Sequence, residues 1–340
     1  MSARSAWTLS TPQKLTFDDP VTALQVRIVS GTVNVVGTDA GPASLQVSEI
    51  EGPPLLVSLR AGTLSIAYED LPWQGFLKLL DRKGWQRTAH ITLTVPTAVR
   101  AEVGTVSAAA VVSGLTGPTE VRGISGDTTL VGLSGEVRAD TVSGCVEVQS
   151  LGGSLCFNSV SGELTVIDGM GSTVQADSVS GDMVVDIAPS AQPADLQLST
   201  VSGEIAIRLP DPANVRVEAH TASGLVSNAF DDLRVDSGIL GGQWGTWASP
   251  GGFGGVGGKI SGSLGTAGGR LKAASVSGAI AVLRRPPTDE PPAGPAGPAT
   301  TSAPGAPGAP SAPHPAGPGT PTVPGPGTPA PTSPFDKKVR

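Results

Sequence analysis

Between Asp140 and Gly169 the chain runs DTVSGCVEVQSLGGSLCFNSVSGELTVIDG, and apolar residues take every second place after each Ser-Gly. In TVSGCVEVQ they are Val146 and Val148; in SVSGELTVI, Leu164 and Val166. SVSGDMVVD supplies Met183 and Val185, and TVSGEIAIR supplies Ile205 and Ile207. A period of two belongs to a strand with one buried face, not to a helix. The valine before each Ser-Gly (Val142, Val160, Val179, Val201) sits at a matched place. That match predicts a single interior column of valines.

The Ser-Gly pairs set a second, longer period. The strongest copies begin at 125, 143, 161, 180, 202 and 223, in steps of 18, 18, 19, 22 and 21 residues. Ser134-Gly135 and the weaker Thr116-Gly117, Gly152-Gly153 and Met170-Gly171 fall near the half-step. A repeat this regular predicts a coil of roughly 18–22 residues built from two similar halves. Gly is expected to supply the backbone freedom of a tight corner, and Ser to bond the local backbone. One coil cannot stand alone. Six inward side chains gain roughly 1.5–3 kcal/mol each, while ordering about 18 residues costs roughly 1–2 kcal/mol apiece. Stacking coil on coil, with strands about 4.8 Å apart, closes the gap. The fold expected is all-β, a single-stranded β-solenoid (β-helix). A β-sandwich of hairpins is the alternative, but it would not need one corner chemistry at a fixed step.

The same grammar opens earlier. ALQVRIVSGTVNVVGTD, SLQVSEIEGPPLLVSLRAGTLSIAYED and HITLTVP alternate likewise, so residues 15–100 are expected to be less regular opening coils. The domain expected is 15–285, after an N-terminal lead, 1–14. Two segments break the pattern. In LPWQGFLKLLDRKGWQ, Trp73, Phe76, Leu77 and Leu80 stand at i, i+3, i+4 and i+7, which predicts a short amphipathic helix over about 72–83. It suits a cap on the solenoid or, with Lys78, Arg82 and Lys83, a membrane-surface or partner contact. The Gly-rich loop at about 238–258 carries Trp244, Trp247 and Phe253. Aromatic residues there serve either as binding anchors or as packing on the flank. From Pro286 the chain holds 18 of its 31 prolines and one aromatic, Phe335, so residues 286–340 are expected to be a disordered tail with polyproline II character.

Composition removes several functions. With 22 Lys and Arg against 29 Asp and Glu, the net charge is −7, which argues against a general nucleic-acid binder. Two cysteines, Cys145 and Cys156, fall at outward places on different halves of the coil and indicate no disulfide framework. The opening residues lack the apolar run of a secretory signal, and no stretch approaches the ~18 apolar residues of a membrane span. A cytoplasmic location is therefore expected. GFGGVG at 252–257 matches a dinucleotide-binding glycine pattern. It leads into another strand-like unit, and no acid lies between Asp236 and Asp289 to hold a ribose. Asp127, Glu163, Asp182 and Glu204 each follow a Ser-Gly pair, with Cys145 breaking the row. As single carboxylates without a loop cage they fit a charged guard row better than a cation site. Asp140, Asn158, Asp177, Ser199 and His220 form a second, polar corner row. His90 and His220 have no nucleophile motif beside them, and no cluster of acids marks a polysaccharide-cleaving site. No catalytic, cofactor or metal site is expected.

The repeated TVSG units, with ITLTVP before them and LKAASVSGAIAVLRRP after, resemble the bacterial putative-adhesin family of β-strand-repeat proteins, related to the toastrack envelope-stress domains. The resemblance covers roughly residues 20–285 and carries no catalytic motif. It implies a non-enzymatic interaction scaffold, in some members linked to membrane stress. Its partner would be an unidentified protein or a membrane surface. The alternative is a bactofilin-like solenoid that polymerises end to end. A monomer needs capped ends, and a polymer bare ones.

Overall fold

The computed structural model describes residues 5–68, 87–170, 173–190, 193–237 and 257–286. Among them every regular element is a strand, arranged in a 14-stranded and a 12-stranded sheet. The two sheets are the two halves of the coil. Val137–Thr141 lies in the first sheet and Val146–Gln149 in the second; one coil on, Leu155–Ser159 and Leu164–Gly169 pair with them in parallel. The expected solenoid and its two-half coil are therefore present.

Alternation after each Ser-Gly also holds. Val146, Leu164, Met183 and Ile205 make one buried column, and Val148, Val166, Val185 and Ile207 the next. In the facing sheet, Phe157 stacks between Ala139 and Ala176. A large side chain between two small ones keeps the rungs at ladder spacing without overpacking.

The valines before the turn are a correction. Val142, Val160, Val179 and Val201 point outward, 37%, 51%, 50% and 47% exposed. The inward residue at the corner is the hydroxyl before them, with Thr141, Ser178 and Thr200 all buried. The phase of the preceding strand explains it: Val137 and Ala139 face in, so Thr141 faces in and Val142 faces out.

Stack order departs from chain order at both ends. Asp195–Thr200 and Val215–Thr221 are consecutive strands of the first sheet in sequence, yet they do not touch as ladder partners. Gly269–Ser275 pairs in parallel with both and lies between them. Ile280–Arg284 likewise lies between Ile205–Leu209 and Val226–Asn228 in the second sheet. The last coil in sequence is an inserted coil. At the other end, the coil of Ala23–Ile28 and Ser30–Gly37 is sandwiched between Arg100–Thr105 with Ala109–Ser113 and the later Thr63–Tyr68 with Thr88–Val95.

Antiparallel strands close both sheets at one end of the stack and the first sheet at the other. Ser5–Leu9 and Gln13–Phe17 are the outermost strands at one end, where Trp7 meets Phe17 edge-on at 5.4 Å. At the other end Leu233–Ser237 pairs antiparallel with Gly258–Leu264, and Phe230 and Leu233 plug the core.

Candidate functional site: the Thr-Val-Ser-Gly edge

One long edge of the solenoid is built from the four-residue corner, and each position has its own task. The first residue caps the fourth: Gly144 N–H donates to Thr141 Oγ1 at 3.1 Å, Gly181 to Ser178 Oγ at 2.9 Å and Gly203 to Thr200 Oγ1 at 3.1 Å. The third residue ties coil to coil. Ser161 donates both its N–H, at 2.8 Å, and its hydroxyl, at 3.2 Å, to the carbonyl of Val142 in the coil before. Ser180 does the same to Val160, and Ser202 to Val179. The fourth residue must lack a side chain. A Cβ on Gly162 would lie 2.3 Å from the carbonyl oxygen of Gly144, and one on Gly181 1.9 Å from that of Gly162.

That last point corrects the reading of glycine as a provider of conformational freedom. Gly144, Gly162, Gly181 and Gly203 do not occupy the left-handed region. Glycine is required here because the neighbouring backbone comes too close for any side chain. The same contact proves the inserted coil: a Cβ on Gly278 would meet the carbonyl of Gly203, and one on Gly224 that of Gly278.

The second residue is left for solvent. Val142, Val160, Val179 and Val201 continue into Val276, 53% exposed, giving a file of five branched apolar side chains at ladder spacing. Before the file the same corner position is taken by half-buried Ile124 and then by buried Val106 and Val29. Exposed acids border it. Asp127 Oδ1 accepts from Cys145 N–H at 3.1 Å, and Asp182 Oδ1 from Glu204 N–H at 2.7 Å, so these carboxylates cap the corner backbone as well as charging the rim. On the other side Asn158 Nδ2 donates to Asp140 Oδ1 at 2.8 Å, the expected polar corner row in part.

The two segments singled out for their aromatic residues both depart from this edge. The connection from Tyr68 to Thr88 takes the place of the Ser-Gly corner in the coil next to that of Val29, with three coils between it and the file. The connection from Ser237 to Gly258 leaves beside Thr221, the corner residue at the other end. Trp73, Phe76, Leu77, Trp244, Trp247 and Phe253 themselves lie outside the described residues. Sequence reasoning missed the valine file, although strand phase carried its signal.

Among the described residues, the other reactive groups, the row around His90 and the two cysteines, stand apart from one another. Thr32 Oγ1 and His90 Nδ1 share a hydrogen bond at 2.9 Å, and Glu49 stands 3.9 Å from His90 Nε2. This row lies on the outward face of a sheet, where ladder pairing takes the backbone donors that an oxyanion would need. Partial burial, with Asp127 and Glu163 nearby, pushes the Cys145 thiol up, away from the reactive thiolate. Cys145 and Cys156 are both free. Among the described residues no group of three or more His, Cys, Asp or Glu could hold a metal, and no helix is long and apolar enough to cross a membrane.

A family model, Toastrack DUF4097, matches residues 59–242. No curated protein matches the chain. Three solved structures are similar at low identity. A putative cell adhesion protein from Clostridium sporogenes is 10% identical, with 81% of this chain and 100% of that chain covered and a TM-score of 0.27. A putative lipid binding protein from Parabacteroides distasonis is 12% identical, covering 82% and 98%, with a TM-score of 0.38. A putative adhesin from Parabacteroides merdae is 13% identical, covering 61% and 88%, with a TM-score of 0.24.

Proposed function

The chain belongs to the Toastrack DUF4097 family, and on that premise we propose that it is a non-enzymatic interaction scaffold whose contact surface is the Thr-Val-Ser-Gly edge. One observation carries the reading: five valines in register stand exposed along a rigid edge whose other three corner positions are spent on the fold. The acidic rim selects the partner. It suits a protein segment with an apolar stripe flanked by Lys or Arg and repels a second copy of the same edge.

Magnitudes limit what the file does alone. Full burial of a valine gains roughly 1.5–3 kcal/mol, and these are already about half covered, so five supply of the order of 4–7 kcal/mol. Association costs an estimated 4–15 kcal/mol. The file therefore supports weak docking by itself and stronger docking when further contacts add to it.

A photo-crosslinking residue placed at Val179 or Val201 in native cells tests the reading. Discrete heteromeric adducts are expected from both positions, and none from the same residue at Thr165, on the outward face of the second sheet. Adducts from Thr165 alone would move the contact to the broad face and end this proposal.

A further inference from the structure

The opposite long edge carries a different feature. In its regular part the corner is plugged from within by Leu115, Leu133 and Leu151, all at most 1% exposed. The leucines then give way. In the next coil Gly169 stands in the leucine's place, and the column resumes with Ile187 and Leu209, both buried. The later connections are longer and rich in proline. Beside this end of the column there is an open groove of about 480 Å³, floored by Ile187, Leu209, Ala213 and Val215, walled by Pro193 and Pro210 and lined also by Asn214 and Thr266. That volume falls within the ~300–1,000 Å³ of small-molecule sites.

A second hollow of about 340 Å³ shares Pro193, Ala194 and Gly268 with the first, so the two adjoin. Arg216 and Arg270 line it. They are direct ladder neighbours, with Asp195 next in the row. Neither arginine is in an ion pair among the described residues. Two guanidiniums against one carboxylate leave a positive mouth on an otherwise acidic chain. Both sit there because the inserted coil brings Gly269–Ser275 between strands that the sequence would have placed side by side.

We infer that this groove binds a small aliphatic monocarboxylate, its hydrocarbon body on the Ile187–Leu209–Val215 floor and its carboxylate on Arg216 and Arg270. The apolar floor excludes a free inorganic anion as the fitting ligand. The paired guanidiniums exclude a neutral hydrocarbon, since planar donors side by side match a carboxylate. The inference stands apart from the valine edge and does not need it.

Octanoate is the probe, titrated into the full chain by isothermal calorimetry. Saturable binding at one site is expected, with 1-octanol and acetate each at least tenfold weaker, because each lacks half of the ligand. Arg216→Gln with Arg270→Gln changes two exposed side chains; it should keep the parent melting curve and weaken octanoate at least tenfold. Ala194→Trp, at the junction of the two hollows, should abolish binding; if it fails to fold, the arginine pair decides alone. Absence of saturable heat with octanoate overturns the inference. So does equal affinity for octanol, or an arginine-pair variant that binds as the parent does.

Discussion

At Val160 the side chain is apolar, sits between a polar and a hydroxyl residue, and is half exposed. Its apolarity invites an interior assignment, and strand phase forbids it. Alternation continues unbroken from Leu155 and Phe157 through Ser159, which takes the inward place with its hydroxyl on Gly162 N–H. Phase was legible in the sequence for Leu164 and Val166 because polar neighbours marked it; at the corner two apolar-looking choices competed and the wrong one was favoured. The consequence is a sharp contrast. Val160→Asp should shift the melting temperature by no more than about one or two degrees, as an ordinary surface change. Leu164→Asp, 1% exposed, should leave the chain unfolded, since it buries an unpaired charge. Ser161→Ala removes one hydroxyl bond and should cost about 0.5–1.5 kcal/mol. Gly162→Ala forces a Cβ onto a backbone oxygen and should cost more, although alanine is the better residue for an ordinary strand. Chemical denaturation of the four variants ranks them. A Gly162→Ala variant more stable than Ser161→Ala would remove the close-approach account of the corner glycines.

The inserted coil is the element that the sequence could not place. Every coil offers the same parallel edge and the same corner, so SVSGAIAVL at 275–283 fits equally well after any of them. What fixes its position lies at long range. Arg285 follows the strand Ile280–Arg284 and reaches back across the sheet, pairing with Asp168 and standing 3.6 Å from Asp186 Oδ1. Its side chain is 18% exposed and that of Asp186 14%. Burial pushes the Asp186 carboxyl up, while Arg285 and then Arg208 pull it down. A carboxyl whose folded value lies above its unfolded one favours the native state while protonated, and that contribution is lost as pH rises through the folded value. Arg285→Ala removes the main counter-charge and raises Asp186 further. The variant should be about 1–3 kcal/mol less stable than the parent at neutral pH. The gap should narrow as pH falls through the raised Asp186 range, because a protonated Asp186 no longer needs the guanidinium. Urea melts of both proteins across acidic to neutral pH check this, and a gap that widens toward acid would contradict the clasp.

At the scale of the stacked body, the question is whether the parallel ladder stops or recruits another copy. A solenoid with bare ends would present unpaired strand edges over an open core, the arrangement of a growing filament. Here each end changes character. The outermost strands are turned antiparallel, Gln13–Phe17 at one end and Leu233–Ser237 at the other. Phe17 and Leu9 close the core at the first end, and Phe230 and Leu233 at the second, with Arg284 over the Phe230 ring. At the second end the edge of the second sheet is the parallel three-residue strand Val226–Asn228, and Lys14, Arg234 and Asp236 charge Gln13–Phe17 and Leu233–Ser237. A three-residue parallel edge and antiparallel edges that carry charge are each poor templates for a parallel coil. Light scattering coupled to size exclusion should therefore give the mass of one chain, 33.9 kDa, unchanged on concentration. As a counterpart, a chain ending at Gly268 lacks the inserted coil and exposes both ladders that flank it, Asp195–Thr200 and Val215–Thr221. That truncation should aggregate or unfold, and adding the separate peptide 269–286 should recover soluble protein by filling the slot. A full-length chain that grows in mass with concentration would show that the terminal strands do not cap the stack, and would return the polymer reading to first place.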